Sequence, residues 1–277
     1  MGAIIWLASY PKSGNTWARA FLHNLLVKDD KPVDINALDS FCLGESKGAY
    51  YNQLDPRPLT ELSDKEVAEL RLKVHELLTT ASPDSVFVKT HNYLGEWEEV
   101  PLVNMECTAG AIYILRNPLD VTISFSHHFG ITIDETIEQM ANLEMGTPTT
   151  LTSVRQVYGS WSSNVKSWTQ QPNSAIHVLR YEDMTMKPFN ACGDLAKFLG
   201  MNPPRKRLQR AIEFSSFKVL KAQEEKHGFV ERSAHARFFR AGKMGQWRGV
   251  LSEEQVATIV SHHREQMERF GYVPKGY

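Results

Sequence analysis

Apolar residues follow two rhythms along this chain, short unbroken runs and stripes spaced three or four apart, and the two alternate from one end to the other. Ala3 to Ser9 is an apolar run of strand length, Tyr10 to Gly14 breaks it, and Trp17, Phe21, Leu22, Leu25 and Leu26 then recur at helical spacing. The opening therefore predicts strand, loop, helix. A polar stretch with Pro and Gly, from Lys28 to Thr60, reads as a long surface insertion. Beyond it Ser63 and Glu66 form a capping box for a helix carrying Val67, Leu70, Val74 and Leu77. Ser85 to Val88 and Ala111 to Leu115 are continuous apolar runs of the kind that parallel sheets bury on both faces. The second is followed by Asn117 as N-cap and Pro118 at the first helical position. Thr132 with Glu135 caps another helix, and Val154, Val157, Trp161, Val165 and Trp168 make a helical stripe leading to a strand from Ile176 to Leu179. Further helices are predicted around 190–199, over 205–214, and from Ser252, whose capping box Gln255 completes, to about Phe270.

Strands alternating with helices imply an α/β fold, a central, mostly parallel β-sheet flanked by α-helices in a single domain over 1–277. Ligands of such sheets collect at the carboxyl ends of the strands. The loops after Ser9, Val88, Leu115 and Leu179 are thus the places for chemistry.

Composition narrows what that chemistry acts on. With 277 residues, 42% of them hydrophobic, the chain can bury one substantial core. Its 31 basic and 32 acidic residues leave a net charge of -1, so no bulk field grips nucleic acid or an anionic membrane, and any anion must be held by a local site. Cys42, Cys107 and Cys192 form no CxxC pair, which suits a reducing, cytoplasmic setting rather than a disulfide framework or a metal site. The first apolar run ends by Pro11, far short of a signal sequence or membrane span. The adjacent pairs His127-His128 and His262-His263 diverge around a helix, and no metal site is expected from them. Lys206, Arg207 and Arg210 read as a solvated helix face.

The first loop, Tyr10-Pro11-Lys12-Ser13-Gly14-Asn15-Thr16-Trp17, sets a lysine and two hydroxyls at a helix N-terminus. Free N–H groups and the positive helix end make that an anion site, with an ordinary turn and a solvated lysine as the plain alternative. It is not a Walker A loop, because Lys12 precedes the only glycine. The second loop carries Lys89-Thr90-His91. A histidine at a strand's carboxyl end beside a lysine is as readily a general base as a structural hydrogen-bonder. In the third, Arg116-Asn117-Pro118 through Ser124, the arginine and the serine could share one phosphate, or Arg116 could pair with Asp120.

Taken in order, these segments resemble the cytosolic-type sulfotransferases, and the likeness runs from Ile4 to about Phe270. The first octet is similar to the family's 5′-phosphosulfate loop YPKSGTTW, with Asn15 for the commoner Thr; KTH, RNPxDxxxS, the GSWxxxVxxW-like stretch from Gly159, and RYEDM from Arg180 follow. Ser215-Ser216-Phe217 resembles TSF, and Arg240-Ala241-Gly242 stands where RKG is usual. The resemblance implies a P-loop-like fold and sulfonate transfer from 3′-phosphoadenosine 5′-phosphosulfate (PAPS) to a hydroxyl of a small-molecule phenol or alcohol, leaving adenosine 3′,5′-bisphosphate (PAP), without a metal. It also implies roles. His91 is the base, and Lys12 and Lys89 face the bridging oxygen and the sulfonate. Ser13, Gly14, Asn15 and Thr16 cradle the 5′-phosphate, and Trp17, Tyr181, Ser215 and Phe217 lie at the nucleotide. Arg116, Ser124, Arg240 and Gly242 attend the 3′-phosphate. Trp17 serves equally as a core aromatic. Ala241 lacks the usual lysine, for which Lys243 or Arg237 could compensate. Tyr50, Tyr51, Tyr93, Trp97, Phe125 and Phe129 are candidates for an apolar acceptor pocket or for the core. The rival readings are a nucleotide-dependent kinase and a non-catalytic nucleotide-binding protein. A monomer or homodimer, with no nucleic-acid or membrane partner, is expected.

Overall fold

A computed structural model describes residues 2–27, 29–233 and 236–277. The opening run forms strand β1 (Ala3–Ser9), with Ile4, Trp6, Leu7 and Ala8 fully buried, and the first stripe forms α1 (Asn15–Leu26). There follow α2 (Leu38–Phe41), β2 (Cys42–Gly44), α3 (Gly48–Tyr51), α4 (Asp64–Thr79), β3 (Ser85–Thr90), the hairpin of β4 (Glu96–Trp97) and β5 (Val100–Pro101), and β6 (Thr108–Leu115). Then come α5 (Pro118–Phe129), α6 (Ile133–Ala141), α7 (Trp161–Thr169), β7 (Ile176–Arg180), α8 (Tyr181–Met186), α9 (Pro188–Phe198), α10 (Arg205–Phe214), α11 (Phe217–His227) and α12 (Glu253–Arg269).

Five strands make one sheet in the order β2-β3-β1-β6-β7, with β1 and β2 both parallel to β3. The chain leaves β1 for neighbours on one side and returns to β6 on the other. The carboxyl end of β1 is therefore the topological switch point, where ligands of such sheets bind. Among the described residues no helix is long and apolar enough to cross a membrane.

The described residues form two compact units. The first takes the chain up to Tyr10, Cys42–Tyr113 and Met140–Val178; the second takes Pro11–Phe41, Ile114–Gln139 and Leu179–Tyr277. The sheet core, α4 and α7 belong to the first. In the second, Ala20, Ile35, Leu38, Leu220, Phe229 and Phe239 make a buried cluster with Trp17, Phe217 and Phe238 against it.

All three expected capping boxes close: Ser63 with Glu66, Thr132 with Glu135 and Ser252 with Gln255. Asn117 caps α5 through Leu119 N, with Pro118 at its first position. Three expectations are corrected. The stretch to Thr60 is no surface insertion, Lys28 itself lying outside the described residues: it supplies edge strand β2 and buries Ile35, Leu38, Cys42, Tyr51 and Leu59. A three-residue strand has no period to reveal it. The stripe from Val154 is helical only from Trp161, because Ser160 caps α7 through Ser163 N; Val154 and Val157 are buried from irregular backbone. And β3 runs on through Thr90, so Lys89 and Thr90 lie in the strand and only His91 begins the loop.

Candidate functional site

In the first unit His91 follows directly on β3, beside the end of β1, where Ala8 pairs with Thr90. Its Nδ1 lies 2.8 Å from the Ser9 carbonyl oxygen and 3.1 Å from Ser9 Oγ. A carbonyl only accepts, so Nδ1 carries the proton and Nε2 keeps its lone pair, the form a general base needs. The ring is edge-on to Tyr158 at 6.0 Å, and Tyr158 is edge-on to Tyr10 at 6.3 Å. Burial pushes both phenols well above the ordinary tyrosine range, so neither competes as a base near neutrality.

A buried polar lattice holds this loop, and sequence reasoning missed it. Glu45, 1% exposed, accepts from Thr90 Oγ1 at 2.7 Å and Asn92 Nδ2 at 2.5 Å, the residues on either side of His91. Asn164 Nδ2 donates to the His91 carbonyl at 3.1 Å, and Trp168 Nε1 to the Asn92 carbonyl at 3.0 Å. Asn92 Oδ1 accepts from Val157 N at 2.6 Å. Behind Glu45 stand Arg71, with Nε 3.5 Å away, and His75, with Nε2 at 3.3 Å. Asn104 N donates to His75 Nδ1, which makes that imidazole neutral, donating from Nε2. Burial alone would raise the Glu45 carboxyl; the hydrogen bond from His75 and the Arg71 charge outweigh it and hold it below the usual range. Burial keeps His75 below its own. Only the pairing of Ser63-type caps leaves a sequence trace; a lone Glu after a three-residue strand leaves none.

The second unit contains the loop from Pro11 to Trp17. Lys12 takes φ 66°, a left-handed backbone that non-glycine residues rarely adopt. Its carbonyl accepts from Arg116 Nη1 at 3.1 Å, and its Nζ sits 4.0 Å over the Phe238 ring. Gly14 caps α1 at φ 109°, and a Cβ there would lie 2.8 Å from the Tyr181 ring. Only glycine fits this approach. Ser13 is buried with no hydrogen-bond partner for Oγ among the described residues, and Asn15 and Thr16 are also buried. Trp17 meets the Tyr181 ring edge-on at 5.3 Å and packs on the phenylalanine cluster, as its reading as a core aromatic expects.

Arg116, 6% exposed, stacks 4.1 Å over Tyr181 and donates from Nη2 to the Lys243 carbonyl at 3.4 Å, while its Nε has no hydrogen-bond partner among the described residues. The alternative ion pair with Asp120 is not formed: Asp120 instead accepts from Gly245 N at 2.6 Å and Trp247 N at 3.3 Å. Glu182 accepts from Asn117 N and from Tyr272 Oη, fixing the start of α5. Ser124 lies half-buried on α5. Ser215 Oγ donates within α10, to the Ala211 or Ile212 carbonyl. At Gly242, φ is 59° and a Cβ would fall 2.2 Å from Phe217, which locks these two residues together. Arg240 is exposed and donates to Gln246 Oε1; Arg237 pairs with Glu225 at 3.3 Å on the surface. Of the acceptor-pocket candidates, Tyr51 and Phe125 are fully buried core, and Trp97 lies under the Arg71 and Arg155 guanidiniums.

A family model described as the sulfotransferase domain matches residues 4–271. Among curated proteins, the flavonol 3-sulfotransferase of Flaveria bidentis is 22% identical over 98% of this chain and 84% of its own length. Sulfotransferase 1B1 of Canis lupus familiaris is 27% identical over 91% of this chain and 79% of its own. In fold the chain is similar to a mouse sulfotransferase, SULT7A1, complexed with PAP, with a TM-score of 0.64, 22% identity and coverage of 96% of this chain and 84% of that one. It is likewise similar to retinol dehydratase in complex with androsterone and PAP, with a TM-score of 0.65, 21% identity and coverage of 96% and 80%.

Proposed function

The chain belongs to the sulfotransferase family as a PAPS-dependent enzyme, and we propose that it moves the sulfonate to a hydroxyl of a small phenol or alcohol with His91 as general base. The observation that carries this is the Nδ1–H of His91 held by the Ser9 carbonyl, three residues before Lys12 in the chain. The whole of residues 1–277 is read as one sulfotransferase domain, acting as a monomer or homodimer in the cytoplasm. The name of one Arabidopsis thaliana relative, "Cytosolic sulfotransferase 16", supports that location.

The residues suit the donor. A buried, unpartnered Ser13 hydroxyl, the close approach kept open by Gly14, and the N–H groups opening α1 are what a 5′-phosphate requires. The Nε of Arg116 is a buried donor without a partner, suited with Ser124 to the 3′-phosphate. Lys243, whose carbonyl already meets Arg116, is better placed than the surface-paired Arg237 to replace the lysine absent at Ala241. Arg240 and Gly242 complete that end; Trp17, Tyr181 and Phe217 border the nucleotide, and Ser215, whose proton stays in α10, contributes shape.

When bound, the donor supplies a sulfonate ready to leave an oxygen of the nucleotide. His91 Nε2 takes the acceptor's proton as the acceptor oxygen attacks. Lys12 offers its ammonium to the charge left on the nucleotide oxygen, and Lys89 to the sulfonate oxygens, as preorganised donors do. Asn164, on the carbonyl of His91, and Glu45, on the Thr90 and Asn92 side chains either side of it, keep the base aimed. The relatives' names, a flavonol, a hydroxysteroid and a retinol among them, support a hydroxyl acceptor with an apolar body.

Calorimetric titration without magnesium tests the donor reading. PAP should bind about ten- to a hundredfold more tightly than ATP, the worth of charged hydrogen bonds to a 3′-phosphate that ATP lacks. Tighter binding of ATP would instead support the kinase reading.

A further inference from the structure

We propose that Arg19 is an additional phosphate-binding residue of this enzyme and that Glu231 is its internal competitor, a carboxylate that the donor's 5′-phosphate must displace. The inference rests on the donor reading above. Arg19 lies in α1, one turn beyond the anion loop, and is fully buried. Its Nη2 donates to Thr16 Oγ1 at 3.0 Å and to Glu231 at 2.7 Å, and Thr16 Oγ1 donates to the same carboxylate at 3.3 Å. Among the described residues Nε and Nη1 make no hydrogen bond, and Asp39 lies 3.7 Å from Nη1.

A carboxylate brought 215 residues along the chain thus sits on the hydroxyl and guanidinium at the first turn of a twelve-residue helix that has no acidic residue of its own there. Helix start, hydroxyl and guanidinium together are what a phosphate engages. Were Arg19 only a fold-holding cation, its fork of five donors would be matched where it is buried, yet among the described residues Nη2 alone is. The two partners are also unequal in exposure. The Arg19 side chain is wholly covered, whereas that of Glu231 is 18% exposed and lies between α11 and the turn at Gln246, where the described residues form no helix or strand. Glu231 is the partner that can leave. A phosphate brings more charge and a third acceptor oxygen to the same donors, and displaces it.

Competition of this kind lowers apparent affinity by the fraction of molecules whose site is free of the carboxylate. If Glu231 is in place in nine molecules of ten, the loss is about tenfold. The test is calorimetric titration of the full chain and of Glu231→Gln with PAP and, separately, with adenosine 3′-monophosphate, which lacks the 5′-phosphate. The variant should bind PAP about tenfold more tightly and the monophosphate unchanged, while Arg19→Met should weaken PAP alone. Unchanged or weaker PAP binding by Glu231→Gln, or equal tightening of both nucleotides, would overturn the proposal. If Glu231→Gln loses its cooperative melting transition, Glu231→Asp replaces it, its shorter reach giving a smaller gain under the same comparison. Failure of the parent chain to bind PAP would fail the donor reading itself, a separate outcome.

Discussion

At the scale of single residues, the chemistry lies in groups whose partners dictate their form. The Ser9 carbonyl decides which nitrogen of His91 is basic, and Arg116 braces the left-handed Lys12 through its carbonyl oxygen. The proposed donor reading gives Arg116 a second task, toward the 3′-phosphate, and the two can be separated. Arg116→Ala should weaken PAP by about ten- to a hundredfold, the loss of charged hydrogen bonds, and weaken adenosine 5′-monophosphate much less. Calorimetry with both nucleotides checks this; equal losses would confine Arg116 to bracing the loop. The lysines, His91 and Arg116 were legible in the sequence because each follows a strand-like run. Glu45, Asn164, Arg19 and Glu231 were not, since each meets a partner far along the chain through polar contacts that no local pattern announces: Asn164, for instance, meets the carbonyl of His91, 73 positions away.

At the scale of elements, capping chemistry was the most reliable guide: the boxes at Ser63, Thr132 and Ser252 mark their helices because they are local, reciprocal bonds within four residues. Strand β2 escaped because three residues cannot show a period, and with it went the carboxylate that follows it. Under the proposed function Glu45 is a positioning residue, hydrogen-bonded to both neighbours of His91 and ion-paired with Arg71 behind it. Glu45→Gln leaves the Arg71 charge buried without its counterion, a change that typically costs about 3–5 kcal/mol. The melting temperature should fall by on the order of 10 °C for a chain of this size. Turnover of the folded variant should drop while PAP affinity holds, because the donor loop is not among its contacts. Adding Arg71→Met should restore melting without restoring turnover. Full turnover in Glu45→Gln would leave the lattice a purely structural role.

For the whole molecule, a net charge of -1 and a sheet switching direction at β1 lead to the same expectation, that anion binding is local and built at one strand's end. The second unit holds groups that suit such a site: a glycine-capped helix start, a buried arginine without full hydrogen bonding and a hydroxyl with none among the described residues lie in one stretch of loop and helix. The first unit holds His91 and the lattice that fixes the backbone and side chains around it. The most direct test of the account is single-turnover sulfonate transfer from PAPS to a phenol, compared between the parent chain and His91→Ala, with PAP titrated into both. Transfer should slow by about 100- to 10,000-fold, the usual share of a general base, with PAP affinity unchanged; equal rates in the two proteins would contradict His91 as the base.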